Sequence, residues 1–339
     1  IWMLGAEPRK MTGQRYRVAT EGFSSLYDYW RRQESQLDWQ CLFVLPPWLK
    51  IWWQSFGTNA EQYLCSVKEG NSLIGISPLM LTDKTAYILG SPDVCDYADF
   101  VIQPGKEHLF FNTMLDDLVK KGIHELNLGP LRPDSATFMH LLKISEQRKY
   151  QVINEEEDVS AELELPPTWD AYLGRLKGKQ RHEVRRKLRR LKESGTISYQ
   201  TFENKRALEE RLDLFLHFFR KSREDKDIFM TSARESFFRS LTKAMAAEGL
   251  LRIGLLNLDS RPVAAILYFD YRDIVYLYNS GYDPEYRHLN VGLISKVMCI
   301  KESIQRGKKR FDFLKGAEAY KYRLGGKEIP LYRSRITLS

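Results

Sequence analysis

Asn279-Ser280-Gly281-Tyr282-Asp283-Pro284-Glu285-Tyr286-Arg287-His288-Leu289-Asn290-Val291-Gly292, joined through an amphipathic segment to Arg310-Phe311-Asp312-Phe313-Leu314-Lys315-Gly316, is the stretch on which the fold of this 339-residue chain turns. Before it, residues 274–278 are β-branched and aromatic, which reads as a strand. After the turn, Val291, Ile294, Val297, Met298, Lys301 and Ile304 recur at helical spacing, and Gly307 is placed to stop the helix. The stretch is therefore strand, loop, helix, strand. Its loop brings Asn290, Gly292 and the following N–H groups to a helix N-terminus. Orphan donors and the positive end of the helix dipole there suit a phosphate or diphosphate.

The same pattern occurs earlier in the chain. Gly122 matches Gly307, Leu126 matches Phe311, Asn127 matches Asp312 and Leu128 matches Phe313. A hairpin precedes each copy: 63–67 and 73–81 flank Glu69-Gly70-Asn71, while 251–256 and 263–269 flank Asp259-Ser260. Third strands follow at 86–89 and 274–278, each leading to a turn, Gly90-Ser91-Pro92-Asp93 or Gly281-Tyr282-Asp283-Pro284. The reading is two copies of one α/β unit, residues 1–154 and 155–339, separated by the acidic run near 154–160. In the second copy, 159–165 reads as the first strand, Thr168 as an N-cap, 196–202 as an additional strand, and Leu208, Leu212, Phe215 and Phe219 as the apolar face of a helix.

Apolar residues make up 43% of the chain, enough for a globular core, and no run of 18 apolar residues predicts a membrane span. The opening Ile1-Trp2-Met3-Leu4-Gly5 is too short for the core of a signal peptide, so no export signal is expected. Cys41, Cys65, Cys95 and Cys299 are scattered without ligand spacing and read as reduced structural thiols in a cytoplasmic protein. The six histidines show no metal-like spacing, and no metal is expected. GxSxG, Walker, HExxH and GxGxxG patterns are absent, which excludes the hydrolase, nucleotidase and dinucleotide classes those motifs mark. The formal charge of +8 concentrates in 175–192, where ten Lys and Arg residues are interrupted by Leu176, Val184, Leu188 and Leu191. That is a basic amphipathic helix. It is either a solvated face or a contact for an anion such as a nucleotide, tRNA, a lipid headgroup or a phosphorylated acceptor.

With this order of elements the chain resembles the GNAT acyltransferase fold in tandem. It is most similar to the family described as acetyltransferases involved in cellulose biosynthesis, with a Fem-like two-domain layout. The resemblance rests on Pro47-Trp48-Leu49-Lys50-Ile51-Trp52-Trp53, Arg181-His182-Glu183-Val184-Arg185-Arg186, Gly281-Tyr282-Asp283-Pro284, and Phe311-Asp312-Phe313-Leu314-Lys315-Gly316-Ala317-Glu318-Ala319-Tyr320-Lys321. It implies an α/β (α+β) architecture of two GNAT-like domains, each a mixed, mostly antiparallel sheet flanked by helices. In that family an Arg/Gln-x-x-Gly-x-Gly/Ala loop cradles coenzyme A. Arg287, Asn290 and Gly292 stand at those places, with asparagine replacing a glycine. Asparagine tolerates positive φ, so the turn is retained.

The resemblance places the acyl donor, acetyl-CoA or another acyl-CoA, against Tyr278, Asn279, Arg287, Asn290, Val291, Gly292 and Leu293. It leaves the acceptor to the first copy, where Asp96, Tyr97 and Asp99 form a polar-aromatic cluster. An amine attacking a thioester must lose a proton, and the thiolate must gain one. Candidates for these roles are Asp283, Asp312, Glu318 and Tyr320, with Lys321 stabilising developing negative charge and the backbone around 276–281 serving the oxyanion. Asp312→Asn and Lys321→Ala are each expected to lower turnover about tenfold or more without unfolding the protein. Three functions follow. One is N-acyl transfer from acyl-CoA to a small amine such as an amino sugar, in surface-polysaccharide metabolism. The second is a Fem-like transfer from aminoacyl-tRNA. The third is a non-catalytic binding module.

Overall fold

The computed structural model describes residues 16–32, 36–57, 59–91 and 93–338; the opening Ile1–Gly5 segment and Pro92 lie outside them. In chain order come β1 (Tyr16–Thr20), α1 (Phe23–Arg31), α2 (Pro46–Phe56), β2 (Glu61–Glu69), β3 (Ser72–Thr82), β4 (Thr85–Ile88), β5 (Val101–Ile102), α3 (Glu107–Lys120), β6 (Glu125–Leu131), α4 (Leu142–Gln147) and β7 (Gln151–Glu164). Then follow α5 (Trp169–Arg175), α6 (Gly178–Glu193), β8 (Ile197–Phe202), α7 (Lys205–Ser222), α8 (Glu224–Phe229), α9 (Ser232–Ala247), β9 (Leu251–Leu258), β10 (Arg261–Tyr271), β11 (Ile274–Tyr282), α10 (Val291–Gln305), β12 (Arg310–Lys315), α11 (Ala319–Arg323) and β13 (Lys327–Thr337).

The strands form one sheet in the order β1-β2-β3-β4-β6-β13-β7-β12-β11-β10-β9-β8, with β5 beside β3. Its two flanks have the same topology. β1 to β4 run antiparallel in succession and β6 joins β4 in parallel; β8 to β11 run antiparallel and β12 joins β11 in parallel. The sequence repeat is thus a structural one. Asn127 and Asp312 occupy the same place, opposite Tyr87 and Tyr276 respectively. Gly122 and Gly307 both end helices with positive φ, +75° and +72°, a conformation that costs glycine little.

The middle of the sheet departs from the expected division. The acidic run at 154–160 is not a separator but part of β7, and the boundary at 154/155 falls inside that strand. β7 leaves the first flank and pairs with β12 of the second, while β13, the end of the chain, pairs with β6 of the first and with β7 along 151–162. Each flank is completed by a strand that follows the other. The carboxylates of the run are tolerated in a strand because arginines of β13 face them: Arg333 reaches Glu157 and Asn127, and Arg335 reaches Glu155. Cross-strand pairs of opposite charge stabilise an antiparallel ladder.

Helices cover both faces. α2, α7 and α9 share one core with the first flank and one face of the second; α5, α6 and α10 cover the other face of the second flank. Trp48 of α2 is fully buried and touches Phe43, Phe269 and Tyr278 at ring distances of 4.8–5.3 Å. A buried tryptophan of this kind joins the two flanks through several kcal/mol of apolar burial, on the order of 3. The basic helix forms as expected: α6 buries only Val184 and Leu191 and leaves its charges on the outside.

Candidate active site

β11 pairs with β12 only over Ile274–Arg310, Val275–Phe311 and Tyr276–Asp312. Beyond that point β11 continues beside β10, whereas β12 turns away. The divergence has two local causes. Leu277 and Tyr278 both stand opposite the single Tyr268, a bulge that redirects β11. At the end of β12, Leu314 and Gly316 adopt positive φ, +62° and +108°. For leucine this is a strained conformation that persists only where neighbours fix it. Here the Leu314 N–H donates to Asp312 Oδ1 (2.7 Å), the Lys315 N–H donates to Asp96 Oδ1 (3.1 Å) and the Gly316 N–H donates to Val159 O (2.7 Å). Lys321, 1% exposed, donates its Nζ to the carbonyls of Leu314 (2.9 Å), Lys315 (2.6 Å) and Gly316 (2.9 Å) and meets Glu318 at 2.8 Å.

The separated strand ends open a cleft of about 670 Å³. On one side stands the N-terminus of α10. Asp283 accepts from the Glu285 N–H, starting the 3-10 turn Pro284–Leu289. Asn290 then takes the left-handed conformation, φ 60° and ψ 32°, and its carbonyl receives the Leu293 and Ile294 N–H groups. The N–H groups of Val291 and Gly292 have no partner available inside the helix. A Cβ on Gly292 would stand 2.8 Å from the Tyr282 ring, so glycine lets the helix lie on that ring. The other side is formed by α7, α8 and α9 through Phe219, Lys226, Phe229 and Phe238. At the base, Tyr278 donates to Val94 O (2.9 Å) and stacks on Phe238.

All seven residues expected at the donor, Tyr278, Asn279, Arg287, Asn290, Val291, Gly292 and Leu293, line this one cleft, together with Glu318, Tyr320, Lys321 and Asp96. Four others stand elsewhere. Asp283 is spent on the turn and on an ion pair with Lys221 (3.1 Å). Asp312 is 0% exposed and points away from the cleft, accepting from Tyr97 OH (2.6 Å) with the Arg132 guanidinium 3.8 Å away. Tyr97 and Asp99 line a separate cavity of about 550 Å³. There Asp99 caps the helical turn Thr137–Leu141 that follows β6, accepting from the N–H groups of Ala136 (2.7 Å) and Thr137 (3.1 Å).

Burial raises the carboxyls of Asp312 and Asp99 from an ordinary value of 3.8 to about 6; for Asp312 the charge of Arg132 opposes the rise without cancelling it. Between about pH 4 and 6 the folded protein therefore holds more protons than the unfolded chain at these sites, and their contribution to stability grows as pH falls through 6. In thermal melts, the gap between wild type and Asp312→Asn should widen from pH 7 to pH 5. A gap independent of pH would remove Asp312 from this account.

Two cleft residues escaped the sequence reading. Lys296 lies on the buried side of α10, 8% exposed. A lysine among Ile294, Ser295, Val297 and Ile300 was the available signal. Lys226 sits in the charged stretch 223–227, which carries none. Burial first, and then each one's cationic neighbours, lower Lys296 to about 7 and Lys226 to about 8. No group of side chains arranged to hold a metal occurs among the described residues. The cleft can therefore hold an elongated anionic ligand at the α10 end and present carboxylate, tyrosine and lysine groups at the other.

Residues 178–322 match the family model described as acetyltransferase (GNAT) domain. Among solved structures the chain is similar to FemX (TM-score 0.62, 11% identity, 94% of this chain and 96% of that one). It is also similar to a Bacteroides thetaiotaomicron protein of unknown function (TM-score 0.59, 12% identity, 94% and 99%) and to L-PGS from Bacillus licheniformis (TM-score 0.53, 11% identity, 84% and 90%). At these identities the likeness is one of fold. No curated protein matches in sequence. The matched segment runs from α6 through α11 and contains the loop before α10, the splayed strands and Lys321. Over residues 178–322, then, the chain is similar to an acetyltransferase (GNAT) domain, and that match supports an acyltransferase.

Proposed function

We propose that the cleft between β11 and β12 takes acetyl-CoA, or another acyl-CoA, and that its acyl group passes to the amine of a small acceptor. The observation that carries this reading is the convergence of Arg287, the left-handed Asn290 and the free N–H groups of Val291 and Gly292 at one end of the cleft. Together they suit a diphosphate. The exposed backbone edge of β11 from Leu277 to Ser280 then accompanies the donor's chain toward the loop of Leu314 to Lys321, and its N–H groups serve the carbonyl oxygen. An amino sugar is the kind of acceptor the family resemblance implies.

In the reaction the amine nitrogen forms a bond to the thioester carbonyl carbon and the carbon–sulfur bond breaks. Glu318, half-exposed at 49% and held by Lys321, takes the proton leaving the amine; Tyr320 stands beside it to return one to the thiolate. Lys321 positions this pair: its N–H groups are committed to carbonyls. Asp312 and Tyr97 act on the same loop from behind, through the Leu314 N–H and the network with Arg132.

Calorimetric titration with acetyl-CoA tests the reading. Wild type should bind, and Arg287→Ala, which removes an exposed guanidinium from the diphosphate end, should weaken binding about tenfold, the ~1.4 kcal/mol of one charge-assisted contact. No binding by a folded wild-type protein would reject the donor.

One observation favours the second reading, a donor carried by tRNA. α6 packs against the 3-10 turn that holds Arg287 and His288, so its exposed Lys179, Arg185, Arg189, Arg190 and Lys192 extend the basic surface outward from the mouth of the cleft. Activity that depends on added tRNA, and that falls with a steep salt dependence, would replace acyl-CoA by that donor. Among the described residues no helix is long and apolar enough to cross a membrane.

A further inference from the structure

Lys226 and Lys296 approach the cleft from opposite sides. Lys296, one turn along α10, reaches back to donate to Gly292 O (2.8 Å), and its Nζ lies 4.9 Å from the centre of the Tyr320 ring. Lys226 of α8 donates to Ser280 O, and its Nζ lies 4.8 Å from the centre of the Phe219 ring. Both line the cleft, and neither has an ion pair among the described residues. Each ammonium thus has one carbonyl, one aromatic face and two further N–H bonds.

The charged and titratable groups that face them do not supply a counter-ion. Those around Lys296 are Lys226, Glu318 and the Cys299 thiol; those around Lys226 are Arg223, Asp225 and Glu318. Glu318 is held by Lys321, and Asp225 is held by Arg223 in a two-pronged pair at 2.7 and 2.9 Å. Two neighbouring ammonium groups, Lys296 buried and Lys226 half-buried, without a carboxylate of their own are unfavourable in the free protein. Such an arrangement is retained where something that binds later provides the negative charge.

We propose that Lys226 and Lys296 together hold an oxyanion group of the reactants, a phosphate or carboxylate, between α8 and the first turns of α10. The site rests on the reading of this cleft as the place of acyl transfer only for the identity of the molecule that carries the anion. That molecule is the donor, through its diphosphate, or an acceptor that is itself acidic. An acidic acceptor would make this pair a determinant of specificity, since a neutral amine would leave both charges uncompensated.

The probe is inorganic phosphate, titrated by calorimetry at pH 7.5 in two buffers of different ionisation enthalpy. Wild type should bind it and take up as much as about one proton per site, because the anion stabilises the charged form of both lysines. Lys226→Met and Lys296→Met should each weaken binding about tenfold or more and lower the uptake, with melting temperatures no lower than wild type, since methionine fills much the same space without the charge. Absence of phosphate binding in wild type, binding unchanged in both variants, or variants that melt several degrees lower would each overturn the proposal, the last by making the lysines part of the packing. Saturating acetyl-CoA then assigns the anion: expulsion of phosphate gives it to the donor, and simultaneous binding gives it to the acceptor. If acetyl-CoA fails to bind while lysine-dependent phosphate binding persists, the donor reading falls and the anion site stands.

Discussion

Lys321→Ala is expected to destabilise the protein by about 3 kcal/mol, the scale of stripping a buried cation from several acceptors. Turnover should fall about tenfold or more, mostly in kcat. Lys321 Nζ gathers the carbonyls of Leu314, Lys315 and Gly316, and it is the partner of Glu318. Without it those carbonyls lose their shared donor, and the positive φ of Leu314 is left to the N–H bonds of Leu314 to Asp312, Lys315 to Asp96 and Gly316 to Val159. The loop should relax, carrying Glu318 and Tyr320 away from the reacting centre. Because the diphosphate end of the cleft is untouched, donor affinity should change far less than turnover. Lys321→Arg should not restore activity: a planar guanidinium does not fit three carbonyls converging on one nitrogen. Thermal melts and steady-state kinetics on both variants decide the matter, and wild-type turnover in a folded Lys321→Ala protein would end this account of the loop.

Gly281→Ala should cost about 2–3 kcal/mol and weaken acetyl-CoA binding, through overpacking. A Cβ at this position would lie 2.3 Å from the backbone carbon of Phe218 and 2.3 Å from the backbone nitrogen of Phe219. These are main-chain atoms of a helix and cannot rotate aside. α7 would have to lift from β11, and α7 carries Phe219 and leads directly into α8, which form one wall of the cleft. A variant that melts with wild type would show that the helix yields without cost. The contrast is Gly292, where the added Cβ meets the ring of Tyr282, a half-buried side chain and not main chain, so the loss there should be smaller.

Much of the fold was legible because it is specified locally. Alternating apolar residues and the turns at 69–71 and 259–260 located both hairpins, and the glycines at 122 and 307 ended both helices that precede the parallel strands. The α10 end of the cleft was legible for the same reason. Asn290 and Gly292 follow a 3-10 turn started by Asp283 and Pro284, and everything that shapes this loop lies within about a dozen residues. Asp283 itself shows the limit of that reasoning: a carboxylate in a cleft-forming loop suggested chemistry, and its neighbours use it to fix the turn.

Sequence by itself therefore determined the repeat, the strand–loop–helix unit and the grouping of residues 278–279 and 287–293 around one loop, since periodicity, turn chemistry and helix stops act over short separations. Tertiary structure alone decided the exchange of β7 and β13 between the two flanks, in which Arg333 pairs with a carboxylate 176 positions away. It also decided which way the side chain of Asp312 points, turning it from the cleft toward Tyr97 and Arg132 of the other flank, and it brought Lys226 beside Lys296 across 70 residues of chain. Those outcomes depend on which distant strand or helix supplies the counter-charge, and a pattern read along one segment contains no record of its partner.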